Sequence, residues 1–173
     1  MKLNLLLAAL VCASGCVAAP SGNDSSEIML SNLRDTVSIP AIPGWKLYGR
    51  LPTTPVRLVS FYLVQDPKAD FAHRLPTGTI TFELLPAGTT EVDILAGPSL
   101  RGSVPDRTTS ISVSGIPRTL HCRRGDIVDE CFVLIPLRES LLEASLTVST
   151  PTTKYFATLK AQFCDAITRL KLP

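Results

Sequence analysis

Five cysteines and two histidines are the side chains best suited to covalent, metal or acid–base chemistry in this sequence. A cysteine can carry a lipid, close a disulfide, ligate zinc or attack a carbonyl, and its neighbours decide among these. Cys16 ends the run Ala13-Ser14-Gly15-Cys16, which follows Lys2 and the apolar stretch from Leu5 to Ala13. That stretch is too short to span a bilayer, and small residues leading into a cysteine mark an export signal. The ending resembles a bacterial lipobox, in which the thiol is acylated and becomes the mature N-terminus. Residues 1–19 therefore read as a lipoprotein-type export signal, with lipidation at Cys16 and membrane attachment through that lipid. A plain secretory signal cut after Val17-Ala18-Ala19 is the competing reading. It puts Pro20 after the scissile bond, where a ring lacking an N–H hinders cleavage.

With Cys12 in the signal, Cys122, Cys131 and Cys164 remain in the domain. In an oxidising compartment Cys122 and Cys131 are the natural pair, bracketing the polar segment from Arg123 to Glu130. Closing so short a loop stabilises by roughly 2–3 kcal/mol. Cys164 then remains as a buried thiol in the last helix, with its pairing to either other cysteine left open. There is no Cys-x-x-Cys, and His73 and His121 lie far apart, so neither a metal nor a cofactor is expected. Asp126, Asp129 and Glu130 lack the alternating oxygen-ligand spacing of a calcium loop.

Catalysis needs a nucleophile, a base and an orienter that converge. No Gly-x-Ser-x-Gly elbow occurs. His121 and Cys122 are adjacent and point to opposite faces of an extended segment, which leaves Cys164 with His121 as the open geometry for a small hydrolase. Arg123, Arg124, Asp126, Asp129 and Glu130 are the candidate interaction surface, read as a solvated hairpin tip. Arg124-Gly125-Asp126 there is turn chemistry. Trp45 and Tyr48, with Phe156 and Phe163 from the last helix, either lid the core or line an apolar ligand pocket. Asn23-Asp24-Ser25 is a glycosylation sequon that matters only in a eukaryotic source.

The elements that must position these residues are legible in the patterning. The chain has 173 residues with 17 basic and 15 acidic side chains and a net charge of +2. Roughly 155 residues after the signal make one domain with a real core. No basic block exceeds Arg123-Arg124, so nucleic acid is not expected as a partner. Residues 20–34 read as a tether followed by a short helix capped by Ser25 or Ser26 and running towards Leu33. The domain proper is residues 35–173. Prolines 40 and 43 suit an edge strand and a Pro43-Gly44 turn. Val56 to Val64 and Cys131 to Ile135 lack alternation and read as central strands. The segments Thr79–Leu84, Thr108–Gly115 and Ser145–Ser149 alternate, with one face wet and one dry. Glu91 to Leu95 reads as a short strand, Pro98 to Arg107 as a loop, and Arg138 to Glu143 as a helical turn or a wide hairpin loop. Phe156, Leu159, Phe163, Ile167 and Leu170 form one apolar stripe of a final helix capped by Thr150 or Thr152. The fold class is α+β, a mostly antiparallel twisted sheet with a C-terminal amphipathic helix packed on one face.

Pro43-Gly44-Trp45, the glycine-led strand Gly115-Ile116-Pro117-Arg118, the hairpin closing on Leu146-Thr147-Val148-Ser149-Thr150-Pro151, and a last helix ending Leu170-Lys171-Leu172 together resemble a family. It is the PsbP-like domain used by bacterial lipoproteins, including the LpqN type. The resemblance covers most of the chain after residue 35. It implies an antiparallel sheet flanked by helices on a membrane-tethered, non-catalytic module that binds or assists envelope components. The expected partners are the membrane, through the N-terminal lipid, and either an envelope protein or a small apolar ligand. A soluble secreted binding or effector protein, and a small hydrolase, stand as alternatives.

Overall fold

The computed structural model describes residues 27–32, 34–50, 58–63, 78–96, 107–125, 128–149 and 153–173. Among them the chain forms strands β1 (Ile28–Ser31), β2 (Thr36–Ile39), β3 (Lys46–Arg50), β4 (Leu58–Leu63) and β5 (Gly78–Leu84). Helix α1 (Glu91–Ala96) comes next, then β6 (Arg107–Val113), β7 (Ile116–Arg124), β8 (Val128–Pro136), β9 (Leu141–Ser149) and helix α2 (Thr153–Thr168). Strands β3 to β9 build one seven-stranded sheet in the order β3-β4-β5-β9-β8-β7-β6, and β1–β2 form a separate hairpin. Every pairing is antiparallel.

Strand β8 is buried without a break from Asp129 to Ile135, as a run without alternation requires at the middle of a sheet. Cys131, Val133 and Ile135 turn to one face, where they meet Ala144, Leu146 and Val148 of β9 and Ile80 and Phe82 of β5. Helix α2 lays Leu159, Phe163, Ala166 and Ile167 on that face, and the β1–β2 hairpin adds Ile28, Leu30, Val37 and Ile39 beside it. The opposite face carries a smaller cluster of Phe132, Leu134 and Leu141, against which Leu85 and Ile94 pack.

Three local readings are corrected. Residues 28–31 are a strand and not a helix. Ile28 and Leu30 face the core while Met29 faces solvent, and Asn32 makes the turn by accepting the N–H groups of Arg34 (2.9 Å) and Asp35 (2.6 Å). Glu27 pairs with Lys171 and accepts from the Ser38 hydroxyl at 2.7 Å, rather than supporting a helix start. Conversely, residues 91–96 are a helix and not a strand. Thr90 donates its N–H to Asp93 Oδ2 (2.9 Å), and Asp93 returns its N–H to Thr90 Oγ1 (3.2 Å). That reciprocal cap satisfies the first orphan donors and outweighs the alternation of Val92 and Ile94. Strand β4 is interior to the sheet yet not buried on both faces, since Leu58, Ser60 and Tyr62 are half-buried between core-facing Val59 and Phe61. Its outer face holds a polar contact instead, Ser60 Oγ to Thr81 Oγ1 at 3.1 Å.

Two prolines shape the far end of the sheet. The β7–β8 ladder stops at Leu120↔Val133, although both strands run on. Continuing the register would set Pro117 against Pro136, and neither has an N–H to give. The end of the β6–β7 hairpin therefore leaves β8 and closes on the end of α2, where the Ser114 hydroxyl donates to the Leu170 carbonyl (3.1 Å). Ser114 and Gly115 hold φ of 49° and 80°, the left-handed pair of a two-residue hairpin turn.

Candidate functional site

The cysteines of β7 and β8 face each other across the ladder and are joined as a disulfide, with Cα atoms 4.1 Å apart. Such closeness belongs to a non-hydrogen-bonded cross-strand pair, where side chains of facing residues approach most. The disulfide lies on the core face, with both cysteines buried.

The register of the disulfide fixes the neighbouring pairs. With Cys122 opposite Cys131, Arg123 stands opposite Glu130 and Arg124 opposite Asp129. Arg123 Nη2 donates to Glu130 Oε2, and both side chains are nine-tenths buried. Arg124 Nε lies 3.7 Å from Asp129 Oδ1, with Arg124 65% exposed and Asp129 buried. The expected solvated tip is thus two facing ion pairs inside the ladder. Arg124, Gly125 and Val128 are its exposed described residues, and Asp126 lies outside the described residues. Gly125 closes the turn by donating to the Val128 carbonyl at 3.0 Å. A Cβ there would sit 2.7 Å from the same oxygen, so the tight turn requires glycine.

His121 and Arg123 point away from the disulfide, to the second face. His121 stacks on Phe132, with ring centroids 5.0 Å apart and planes at 17°. Burial pushes its imidazole below the ordinary value of 6.5, and the Glu91 carboxylate of α1 works against that shift. Its Nε2 is buried without a hydrogen-bond partner. Cys164 packs from α2 onto the first face, and burial raises its thiol, opposed by Lys160. The sheet stands between His121 and Cys164, so they form no dyad.

Trp45 belongs to the core. It is 8% exposed, its indole N–H donates to Gln162 Oε1 at 2.9 Å, and a Cβ on Gly78 would meet its ring at 3.1 Å and Leu159 at 3.2 Å. Of the two readings, core lid and pocket lining, Trp45 takes the first. Phe163 is fully buried beside it and Phe156 half-buried. The Tyr48 side chain, Cys16, His73 and Asn23 lie outside the described residues.

A cavity of about 310 Å³ opens elsewhere, between the β1–β2 turn, the loop after β5 and the β8–β9 turn, lined by Arg34, Leu85, Pro86 and Glu139 among others. Arg34 and Glu139 pair across its rim. Behind them lies a buried carboxylate that sequence reasoning missed. Asp35 accepts from the Ser140 hydroxyl (2.6 Å) and the Glu139 N–H (3.2 Å). Burial works to raise its pKa, and the hydroxyl and backbone donors of residues 138–140 together outweigh it and hold the group below 3.8. Nothing local marks Asp35, whose partner stands 105 residues away.

No family model and no curated protein matches the chain. Solved structures do. The solution structure of cyanobacterial PsbP (CyanoP) from Synechocystis sp. PCC 6803 aligns at 12% identity over 90% of this chain and 98% of that one, with a TM-score of 0.51. The crystal structure of LpqN, involved in cell envelope biogenesis of Mycobacterium tuberculosis, aligns at 14% identity over 85% and 90% of the two chains, with a TM-score of 0.47. Against a structure from Bacteroides thetaiotaomicron VPI-5482, 79% of this chain aligns at 12% identity with a TM-score of 0.44, and it spans only 45% of that longer chain. The likeness to cyanobacterial PsbP is one of fold, and it agrees with the sheet order and terminal helix described above: the chain has a PsbP-like α+β fold.

Proposed function

We propose that this chain is an exported, lipid-anchored accessory protein of the cell envelope that acts by binding and not by catalysis. The observation that carries the reading is the run Ala13-Ser14-Gly15-Cys16 standing shortly ahead of a PsbP-like domain whose first strand begins at Ile28. Acylated, Cys16 would hold that domain at a membrane surface. Among the described residues, three side chains that a catalyst could draw on are engaged in the fold. His121 stacks on Phe132, the Ser140 hydroxyl is spent on Asp35, and the Cys164 thiol is held protonated by burial. That usage supports a binding role. The surface offered to an envelope partner is the end of the β7–β8 hairpin, where Arg124 and Val128 project beside the internally paired Arg123 and Glu130.

The second reading, a soluble secreted protein, is favoured by the Cys122–Cys131 disulfide, which needs an oxidising compartment and no lipid. Intact mass and the N-terminal peptide of the protein recovered from expressing bacteria separate the two. The lipoprotein reading expects a chain beginning at Cys16 with added acyl mass, and expects Cys16→Ser to stay unprocessed or leave the membrane fraction. A chain beginning at Pro20 without lipid overturns it in favour of secretion.

A further inference from the structure

The seven-stranded sheet has two outer edges, and they differ. Strand β3 shifts register against β4 between Leu47 and Gly49 and carries the exposed Lys46 at its start. A register break and cations are devices that keep an edge from pairing with another chain. Strand β6 runs in unbroken register with β7 from Val113↔Ile116 to Arg107↔Cys122. It contains no proline, its one charge is Arg107 at the far end, and Thr108, Thr109, Ser110 and Ser112 are all exposed.

The turn decides which backbone groups look outward. A two-residue turn at Ser114-Gly115 makes Val113 and Ile116 a hydrogen-bonded pair, so Ile111, Thr109 and Arg107 also bond to β7. The N–H and C=O groups of Thr108, Ser110 and Ser112 then point away from the sheet. Among the described residues none of them has a backbone partner.

We propose that β6 is a self-association edge, on which a second copy of this chain lays its own β6 antiparallel about a two-fold axis through Ser110. That register sets Ser110 against Ser110 and Thr108 against Ser112, each pair exchanging both of its N–H···O bonds. Between them Thr109 meets Ile111, and Arg107 meets Val113, so no like charges face each other. The side chains on the outward-bonding positions are Thr and Ser, small enough to let the two ladders close. One patch serves both partners, as a two-fold interface demands, and one sheet becomes continuous across two copies.

Sedimentation of the full-length, disulfide-intact chain over a range of concentrations tests this. The mass is expected to rise from one chain towards two. Ser110→Lys puts two cations against each other at the axis and should weaken the association at least about tenfold. Ser110→Pro should do the same, because it removes an outward N–H and leaves every β6–β7 bond in place. Val92→Lys, on exposed α1, adds the same charge elsewhere and should change nothing. Under oxidation Ser110→Cys should give a covalent dimer on a non-reducing gel. A single-chain mass at every concentration with no Ser110→Cys cross-link overturns the proposal. So does a dimer that survives Ser110→Lys with an unchanged dissociation constant, which would place the contact on another surface.

Discussion

His121 shows what a single side chain does to this domain. Its Nε2 is buried without a partner, so protonation in the folded state must overcome desolvation, and the folded pKa falls below 6.5. The unfolded chain binds that proton more readily. The stability tied to neutral His121 is therefore complete above pH 6.5 and is lost as the pH falls from there towards the folded pKa. His121→Phe keeps a ring on Phe132 and removes the orphaned nitrogen. The expected outcome is a Tm equal to or above wild type at pH 7.5 and a shallower fall in Tm between pH 7 and 5, read by thermal denaturation across that range. An unchanged slope would assign the pH dependence to another group. The ion pairs of the β7–β8 hairpin were within reach of the sequence at this same scale. Once Cys122 faces Cys131, an antiparallel ladder must set Arg123 on Glu130 and Arg124 on Asp129. Reading the segment as a free tip overlooked that consequence of its own disulfide.

At the scale of elements, Asp35 joins the β1–β2 hairpin to the β8–β9 turn through Ser140 and the backbone of residues 138–140. Asp35→Ala leaves those donors buried and unmatched, and should cost about 2–4 kcal/mol in urea denaturation. Ser140→Ala alone should cost less. The double variant should fall short of the sum of the two, since both remove one contact; strict additivity would mean that the hydroxyl and carboxylate are not coupled. Strong periodicity made the long elements legible: α2, β5 and the middles of β6, β8 and β9 stand where their patterns put them, while β9 begins at Leu141, inside the segment read as a helical turn or wide hairpin loop. Short elements were decided by other forces. Four residues at Ile28–Ser31 become a strand because β2 is there to pair with, and six at Glu91–Ala96 become a helix because Thr90 and Asp93 cap each other. A window of that length carries no period long enough to reveal either.

At the scale of the whole molecule, the disulfide ties two neighbouring strands on the core face, beneath the layer formed by α2 and the β1–β2 hairpin. The loop it closes is short, so reduction should lower stability by about 2.5–3 kcal/mol and Tm by roughly 5–10 °C, measured with and without a reductant. A fall of under about 1 °C would mean that the β7–β8 ladder holds without it. The placement of the sheet's edges, and of the gap where Pro117 and Pro136 would have met, is a property of strand order. Strand order is set by long-range pairing such as β5 with β9, which no local pattern announces. The same long-range stitching binds the two ends of the described domain. Ser38 and Lys171 exchange backbone hydrogen bonds of 3.0 and 3.2 Å, and Lys171 reaches Glu27 beside the first strand. A chain made from its N-terminus cannot complete the β1–β2 layer until Lys171 has been synthesised. A nascent chain still short of Lys171 therefore lacks this clasp, which ties the β1–β2 hairpin to the residues that follow α2.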